Sequence, residues 1–275
     1  MIILDGRKLA EKILRKLKKE IKKYHLKLGL AVVLIGENPI SEVFTKQKEK
    51  ISQKIGIKFR LFKLSAKISF QKLKEDIEEI VLDSDNSGII IQLPIPKKFN
   101  TQEILNLIPV KKDIDCLSEK SFGKFYQGSL LILPPVVGAI LKILKEYKIS
   151  IKGKNIVVIG TGKLVGLPTT LWLLKEKATV TAVNEFTKNI SFFTKKADIL
   201  ISGAGKPNFI TGKMINKGII VIDAGTSIEK GRLVGDVDFK SVSKKARYIA
   251  PVPGGIGPLT ITCLFENLII LNKNK

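Results

Sequence analysis

Short hydrophobic runs rich in β-branched residues alternate along the chain with stretches in which apolar residues recur at helical spacing. Such runs are typical of strands buried on both faces, and apolar residues three and four apart indicate one face of a helix. The alternation predicts an α/β fold with parallel sheets covered by helices. The predicted strands are Leu30–Ile35, Gly88–Gln92, Asn155–Ile159, Ala178–Val183, Asp198–Ser202, Ile219–Asp223 and Arg247–Ala250. The predicted helices include Leu9–Tyr24, Ser41–Ile55, Phe70–Ser84, Val136–Tyr147 and Leu167–Lys175.

The order of predicted strands and helices changes between residues 120 and 150, and this change divides the chain into two α/β domains. Two strand–helix units precede it, and a compact strand–glycine–helix–strand unit, typical of nucleotide-binding sheets, follows it. We therefore predict an N-terminal domain over residues 1–135 and a Rossmann-like domain over residues 136–258. A last helix, within residues 259–275, is expected to complete the N-terminal domain.

The charge of the chain is strongly positive, with 48 Lys and Arg against 25 Asp and Glu and a formal net charge of +23. This raises the hypothesis of nucleic-acid binding. The lysines are spread over the whole chain, however, with few aromatic residues among them and no recognition-helix, RRM or zinc-finger pattern. A solvated lysine-rich surface that attracts anionic ligands is favoured, and no specific nucleic-acid partner is expected.

The remaining composition indicates a cytoplasmic protein without a membrane partner. No apolar run approaches the ~20 residues that span a bilayer. The start of the chain is too short and too quickly charged for a signal peptide. Two cysteines, Cys116 and Cys263, are too few for a disulfide framework or a zinc site, so no metal is expected. The single histidine, His25, lies in a lysine-rich stretch, which disfavours a mechanism with a histidine base.

Three prolines and three glycines fall within the ten residues 251–260, just ahead of the last helix. Proline fixes φ, and glycine permits backbone geometries closed to other residues. This loop is therefore predicted to be stiff, with a backbone that no side chains cover. Backbone N–H groups ahead of a helix form a seat for an anion or a flat ring. The alternative is a tight turn between a strand and a helix.

A glycine-rich loop follows the first strand of the second domain. Gly160 and Gly162 would let the backbone approach a pyrophosphate at the start of a helix, although the spacing to Gly166 differs from the standard dinucleotide fingerprint. Glu185 lies just after the next predicted strand, about 20 residues further on, where an acidic residue bonds the adenosine ribose and repels a 2′-phosphate. The pattern favours NAD over NADP; the alternatives are a plain turn and a solvated glutamate.

A lysine lies on the apolar stripe of the predicted helix Ser41–Ile55, for which Ser41 is the expected N-cap. Phe44, Lys48, Ile51 and Ile55 share this stripe because they follow one another at steps of four, three and four. Lys48 is therefore predicted to face the core or a cleft, where desolvation would lower its pKa and make it a usable base. The alternative is a lysine whose amine reaches water along the surface.

Two further polar candidates stand at strand ends. Gln92 closes a buried parallel strand, and ligands of open α/β sheets bind beyond the carboxyl ends of strands. Asp113 and Asp115 lie in a later loop, in which Asp115 is a candidate for holding an amino-pteridine or guanidine-like group. Turn or cap roles are the alternatives.

Ordered motifs along nearly the whole chain resemble the bifunctional methylenetetrahydrofolate dehydrogenase/cyclohydrolase family. They begin with Ile3-Leu-Asp-Gly6 and end with Phe265-Glu-Asn267. Between these lie Val33–Ser41, Gln92–Pro96, Pro109–Asp115, Val165–Pro168, Ala197–Ile201, Phe209–Ile215, Leu233–Phe239 and Pro251–Thr260.

The resemblance implies a two-domain homodimer with a folate cleft between the domains of each chain. Hydride would pass from 5,10-methylene-tetrahydrofolate to NAD or NADP, and water would open the methenyl ring to give 10-formyl-tetrahydrofolate. It implies that Lys48 is catalytic, that Gln92 orients it and that Asp115 grips the pterin. Phe44, Pro253, Gly254 and Gly255 would bind substrate. The implied cofactor-binding residues are Gly160, Thr161, Gly162, Val165, Gly166, Glu185, Gly205 and Gly225.

Departures from the family pattern sharpen two expectations. Phe44 stands where the family has a tyrosine, which places the cyclohydrolase step in question more than hydride transfer. Thr161 and Phe186 replace arginines expected to hold a 2′-phosphate, which favours NAD, with Lys163 as the remaining cationic candidate. The alternative function is that of a divergent relative that binds folate or a dinucleotide with little catalysis.

Overall fold

The computed structural model describes residues 1–229 and 231–273. Their backbone forms the α/β architecture predicted from the sequence. The described strands are β1 (Ile2–Ile3), β2 (Gly29–Ile35), β3 (Lys58–Leu64), β4 (Gly88–Ile91), β5 (Asn155–Ile159), β6 (Thr179–Val183), β7 (Ile199–Ser202), β8 (Ile220–Asp223), β9 (Ser227–Glu229), β10 (Arg232–Val234) and β11 (Tyr248–Ala250). The described helices are α1 (Gly6–Lys23), α2 (Pro39–Ile55), α3 (Phe70–Leu82), α4 (Thr101–Asn106), α5 (Glu119–Gln127), α6 (Pro135–Glu146), α7 (Gly166–Lys175), α8 (Ile190–Thr194), α9 (Phe239–Val242) and α10 (Ile256–Asn272).

Two compact units divide the chain. The three-stranded unit comprises Lys12–Pro135 and Leu264–Lys275, and the six-stranded unit comprises Met1–Glu11 and Val136–Cys263. The junction at residues 135 and 136 coincides with the predicted domain boundary. Residues 1–11, which we placed in the N-terminal domain, group instead with the six-stranded unit because β1 pairs with β11. The last helix begins at Ile256 rather than after residue 258. Of its predicted range, residues 259–263 group with the six-stranded unit instead, and residues 274–275 lie outside the described residues.

The three-stranded unit contains a parallel sheet in the order β3-β2-β4. Every residue of the central strand β2 is buried, as its unbroken apolar sequence predicts. The edge strand β3 was not predicted, since charged and apolar residues alternate along it and most of its positions remain partly exposed. Leu73 and Ile77 of α3 pack into the core beside this sheet. The fold thus fixes the carboxyl end of β4, which leads directly into Gln92.

The six-stranded unit contains a sheet in the order β1-β11-β8-β7-β5-β6, with every pair parallel. From β5 the chain passes to β6 on one side and then to β7 on the other. This reversal of strand order creates a topological switch point, where open α/β sheets bind their ligands beyond the carboxyl ends of the strands. The glycine loop that begins at Gly160 leaves the sheet at this point.

A short antiparallel hairpin, β9–β10, follows β8 and was not predicted. None of the described helices is both long and apolar enough to cross a membrane. Within residues 1–229 and 231–273, no cluster of three or more His, Cys, Asp or Glu side chains is arranged to hold a metal ion.

Candidate functional site

Lys48 and Gln92 form a direct buried contact in the three-stranded unit. Lys48, on α2, is 6% exposed, and its Nζ donates to Gln92 Oε1 at 2.7 Å. Gln92 follows β4 and donates its Nε2 to the Leu93 carbonyl at 3.0 Å, which orients the amide oxygen towards the lysine. The low exposure of Lys48 contradicts the alternative of an amine that reaches water along the surface.

The electrostatics of this pair extend to Asp115. Burial lowers the pKa of Lys48, and the nearby Asp115 carboxylate partly opposes this shift. Burial also raises the pKa of Asp115 to about 6, against the attraction of Lys48 and with a further contribution from Asp113. The pKa of Lys48 and the pKa of Asp115 are thereby both shifted in the direction of neutral pH. A side chain whose pKa lies near the working pH can either accept or release a proton.

The buried stripe of α2 differs from the predicted one. Among the side chains of α2 that the structure describes, the buried ones are Ser41, Thr45, Lys48, Ser52 and Ile55. The prediction was correct for Lys48 and Ile55 but wrong for Phe44 and Ile51, which are only half-buried. Thr45 Oγ1 donates to the Ser41 carbonyl at 2.8 Å, and Ser52 Oγ to the Lys48 carbonyl at 3.0 Å. Thr45 and Ser52 can therefore be buried on the same helix as Lys48, because their hydroxyls bond its own carbonyls. Hydrophobic periodicity does not detect such residues.

The N-terminus of α2 also differs from the prediction. Asn38, not Ser41, is the N-cap, and its side chain accepts from the Ser41 N–H at 2.9 Å, with Pro39 at the first helical position. Ser41 lies inside the first turn and donates its hydroxyl to the Leu93 carbonyl at 3.1 Å. This bond connects the start of α2, the helix that carries Lys48, to the residue that follows Gln92.

The two aspartates of the loop after α4 differ in role. The Asp113 carboxylate accepts from the Ser118 N–H at 2.9 Å, from the Ser118 hydroxyl at 2.7 Å and from the Leu117 N–H at 3.3 Å. Asp113 therefore builds the turn that leads into α5. Asp115, two residues further on, is the carboxyl group that interacts electrostatically with Lys48.

The glycine loop of the six-stranded unit has the geometry of a phosphate-binding turn. Gly160 has a φ of 93°, in the left-handed region, and its N–H donates to the Val183 carbonyl at 2.8 Å. A Cβ on Gly166 would overlap the Gly160 carbonyl, so the first residue of α7 packs directly on the loop backbone. A Cβ on Gly162 would meet nothing within 4 Å. The α7 N-terminus thus lies beside an open backbone, which favours an anion.

The neighbouring loops contribute to the same sheet edge. Val165 contacts the loop after β7 so closely that a Cβ on Gly203 would overlap its side chain. Gly205, in that loop, has a φ of 66°. Thr161 is exposed beside Gly160. The predicted cofactor residues in the loops after β5 and β7 are therefore brought together at the switch point.

Asp236 holds the loop after β7 and was missed by the sequence reasoning. Its carboxylate accepts from Ser202 Oγ at 2.6 Å, from the Ala204 N–H at 2.7 Å and from the Lys206 N–H at 2.9 Å. A Cβ on Gly225 would overlap this carboxylate, which explains the glycine there. The sequence signal that could have identified Asp236 is the Gly-Asp-Val-Asp motif of residues 235–238. An analysis of hydrophobic periodicity gives no information on such a motif.

Asp223, at the end of β8, completes this arrangement. Its carboxylate accepts from the Gly225 N–H at 3.0 Å, the Val237 N–H at 3.0 Å and the Asp236 N–H at 3.2 Å. Burial, reinforced by the Asp236 charge, raises the pKa of Asp223 to about 7. The two buried aspartates together fix the backbone around Gly205 and Gly225.

Glu185 lies exposed in the turn after β6. This turn is adjacent to the glycine loop because β6 pairs with β5 up to Ile159 and Val183. Glu185 therefore occupies the strand-end position at which dinucleotide-binding folds place the acid that bonds the adenosine ribose.

The proline- and glycine-rich loop is tightly folded on itself. The Gly255 N–H donates to the Pro251 carbonyl at 2.7 Å, so this N–H is already engaged within the loop. The Gly254 carbonyl accepts from the N–H groups of Gly6 and Arg7 at 3.0 and 3.1 Å. Pro253 is exposed and follows a cis peptide bond. The backbone of this loop therefore offers fewer free N–H and carbonyl groups than predicted.

A six-stranded parallel sheet with a glycine loop at its switch point is the architecture of a dinucleotide-binding α/β protein. Residues 4–115 match the catalytic-domain model of the tetrahydrofolate dehydrogenase/cyclohydrolase family, and residues 134–275 match the NAD(P)-binding-domain model of the same family. The chain belongs to this family.

Relatives and solved structures agree over the full length. The bifunctional protein FolD of Nautilia profundicola is 42% identical over 278 residues, covering 100% of this chain and 98% of the relative. The crystal structure of the bifunctional enzyme FolD from Campylobacter jejuni has a TM-score of 0.95 at 38% identity and covers 100% of this chain and 99% of that one. The Trypanosoma brucei FolD, complexed with NADP cofactor and inhibitor, has a TM-score of 0.94 at 32% identity, with coverages of 100% and 98%. The predicted family and fold class are confirmed.

Proposed function

We propose that this chain oxidises 5,10-methylene-tetrahydrofolate with a nicotinamide dinucleotide and hydrolyses the methenyl product to 10-formyl-tetrahydrofolate. The observation that carries this proposal is the buried contact between Lys48 Nζ and Gln92 Oε1. The full-length match to the Campylobacter jejuni structure, which is named a bifunctional enzyme, supports an enzyme rather than a binding protein with little catalysis.

Lys48 is the proposed proton acceptor in ring opening. Water adds to the methenyl carbon, the bond from that carbon to N5 breaks, and the formyl group remains on N10. The reaction releases one proton, which a neutral Lys48 amine accepts; burial lowers the pKa of Lys48 and so increases its neutral fraction. Gln92 is proposed to hold the amine in place, and Asp115 to bind the pterin.

Hydride transfer depends mainly on the relative placement of two rings and requires no hydroxyl at residue 44. Phe44 is half-buried one helical turn before Lys48 and is proposed to pack against the folate. Pro253, Gly254 and Gly255 are proposed to contact the substrate as well. The replacement of the family's tyrosine therefore leaves the dehydrogenase step intact.

The cofactor loops of the six-stranded unit fit a dinucleotide, because the backbone at Gly162 is open and the start of α7 lies beside it. A nicotinamide held by these loops would supply the hydride acceptor. We propose that the Gly160–Gly166 loop holds the pyrophosphate, that Gly205 and Gly225 permit close approach, and that Glu185 bonds the adenosine ribose. Because Glu185 repels a 2′-phosphate, we propose that NAD is preferred over NADP.

Turnover with NAD⁺ is expected to exceed turnover with NADP⁺ by about tenfold or more in kcat/KM, a ratio equivalent to about 1.4 kcal/mol. Purified protein is mixed with 5,10-methylene-tetrahydrofolate and either cofactor, and reduced nicotinamide and acid-stable methenyl product are followed separately. Glu185→Gln should narrow the ratio, whereas Glu119→Gln, an exposed acid on α5, should not. Equal or better turnover with NADP⁺ would contradict the role of Glu185. A folded protein that binds folate but turns over neither cofactor would favour the binding-protein alternative.

The KM for the folate substrate is expected to rise as the pH falls below about 6. The pKa of Asp115 is raised to about 6, so the folded protein holds a proton on this carboxyl below that pH and carries the carboxylate above it. The carboxylate is the better acceptor for the pterin N–H groups. Dehydrogenase kinetics between pH 5 and 8 measure the effect, and Asp115→Asn should give a flat profile. A wild-type profile without a change near pH 6 would refute this role of Asp115.

We propose a homodimer in the cytoplasm, on the strength of the family resemblance, with tetrahydrofolate derivatives as its small-molecule partners. The net charge of +23 is proposed to favour anionic folates and not to mark a specific nucleic-acid partner.

A further inference from the structure

Phe186 is the most exposed large hydrophobic side chain in the described part of the chain, at 85% exposure. Single exposed apolar residues are common on protein surfaces, so exposure alone indicates no function. The position of this phenylalanine in the fold is what distinguishes it.

The turn that presents Phe186 is held by its own hydrogen bonds. Asn184 Oδ1 accepts from the Phe186 N–H at 3.1 Å, and the Asn184 carbonyl accepts from the Thr187 N–H at 3.0 Å. The Asn184 N–H in turn donates to Thr187 Oγ1 at 3.0 Å. The aromatic ring therefore projects from a backbone that is already ordered, which reduces the entropy lost on binding.

This turn stands at the ligand-binding edge of the six-stranded sheet. It follows the last residue of β6, and the carbonyl of that residue, Val183, accepts the Gly160 N–H at 2.8 Å. The glycine loop and the Phe186 turn are thus joined by a direct backbone bond. A ligand whose phosphates lie on the glycine loop brings its adjoining sugar towards this turn.

Two consecutive residues of the turn match two consecutive parts of an adenosine. Glu185 supplies a carboxylate for the ribose hydroxyls, and Phe186 supplies an exposed flat ring for the purine that the ribose carries. We propose that Phe186 forms one wall of the adenine subsite and stacks on the base. This inference rests on the proposed dinucleotide binding and deepens it, because it assigns part of the cofactor affinity to the adenine ring.

The test measures binding by calorimetry with NAD⁺, ADP-ribose and nicotinamide mononucleotide, which lacks adenine. Phe186→Ala is expected to lower the affinity for NAD⁺ and for ADP-ribose about tenfold, the usual scale of aromatic–base stacking. Its affinity for nicotinamide mononucleotide should be unchanged. Phe186→Leu, which keeps an apolar side chain without a ring, should behave like Phe186→Ala. Phe192→Ala is the matched control, since Phe192 is 52% exposed in the same unit on α8.

A spectroscopic signature separates stacking from a structural effect. Phe186→Trp should retain the wild-type affinity, and its added emission, measured above that of the native Trp172, should be quenched by ADP-ribose but not by nicotinamide mononucleotide. Wild-type affinity for ADP-ribose in Phe186→Ala would overturn the inference and leave the proposed enzyme function standing. A wild-type protein that binds neither NAD⁺, NADP⁺ nor ADP-ribose would overturn both.

Discussion

Lys48→Met is expected to lower the rate of methenyl-ring hydrolysis by about 10²–10⁴, the usual contribution of a positioned proton-transfer group. Methionine has a similar length but no amine, so it can neither accept the proton from the attacking water nor bond Gln92. Hydride transfer should fall much less, because it relies on the placement of the two rings. The dehydrogenase-to-cyclohydrolase ratio, measured from reduced nicotinamide and methenyl absorbance, is therefore the decisive quantity.

The fold should tolerate this substitution. The lost bond leaves the buried Gln92 Oε1 without its lysine donor, which costs about 1–3 kcal/mol. Removal of a desolvated amine from the interior offsets part of that cost. Thermal unfolding checks the balance, and Lys50→Met, at an exposed lysine on the same helix, should change neither rate nor stability. If 10-formyl-tetrahydrofolate formation persists in a folded Lys48→Met protein, another group performs the proton transfer.

The central strands could be read from the sequence because burial on both faces leaves an unbroken apolar signature. Asn155–Ile159 was predicted residue for residue, and Leu30–Ile35 differs from the observed strand only by the addition of Gly29. Strands β1 and β3 lack this signature. The two residues of β1 become a strand only through pairing with Tyr248 and Ile249, a contact that local sequence does not specify. The alternation along β3 reflects an edge position, which depends on its neighbours.

The candidate site could be predicted in part for a similar reason. Lys48 was identified because a lysine interrupts an apolar stripe, and the structure buries it. The stripe itself was misread at Phe44 and Ile51, since serine and threonine satisfy their hydroxyls on the preceding helical turn and can then be buried. Hydrophobicity alone cannot distinguish such a hydroxyl from a solvated one.

Asp223 and Asp236 show a second limit of sequence reasoning. Each carboxylate accepts three hydrogen bonds, and most of the donors come from separate loops of the six-stranded unit. A buried charge of this kind is tolerated only when its partners converge in three dimensions. In the sequence, Asp223 stands at a strand end and Asp236 in a loop. Solvated aspartates occupy the same kinds of position, so the sequence does not show that these two are buried.

Gly166→Ala is expected to disrupt the cofactor loop and to weaken NAD⁺ binding by about tenfold or more. The added Cβ would overlap the Gly160 carbonyl oxygen, an atom of a backbone already constrained at a φ of 93°. Either the start of α7 or the glycine loop must move, and overpacking of this kind costs about 1–3 kcal/mol. Calorimetry with NAD⁺ and denaturant unfolding measure the two effects.

Gly162→Ala is the matched variant, because it adds the same methyl group to the same loop where nothing lies within 4 Å. Its free energy of unfolding should stay within about 0.5 kcal/mol of the wild type. A loss of NAD⁺ affinity in this stable variant would indicate that the cofactor itself approaches the backbone at Gly162. Wild-type stability and NAD⁺ affinity in Gly166→Ala would instead mean that the close packing of α7 on Gly160 has no part in cofactor binding. The two glycines thus separate internal packing from ligand contact within one loop.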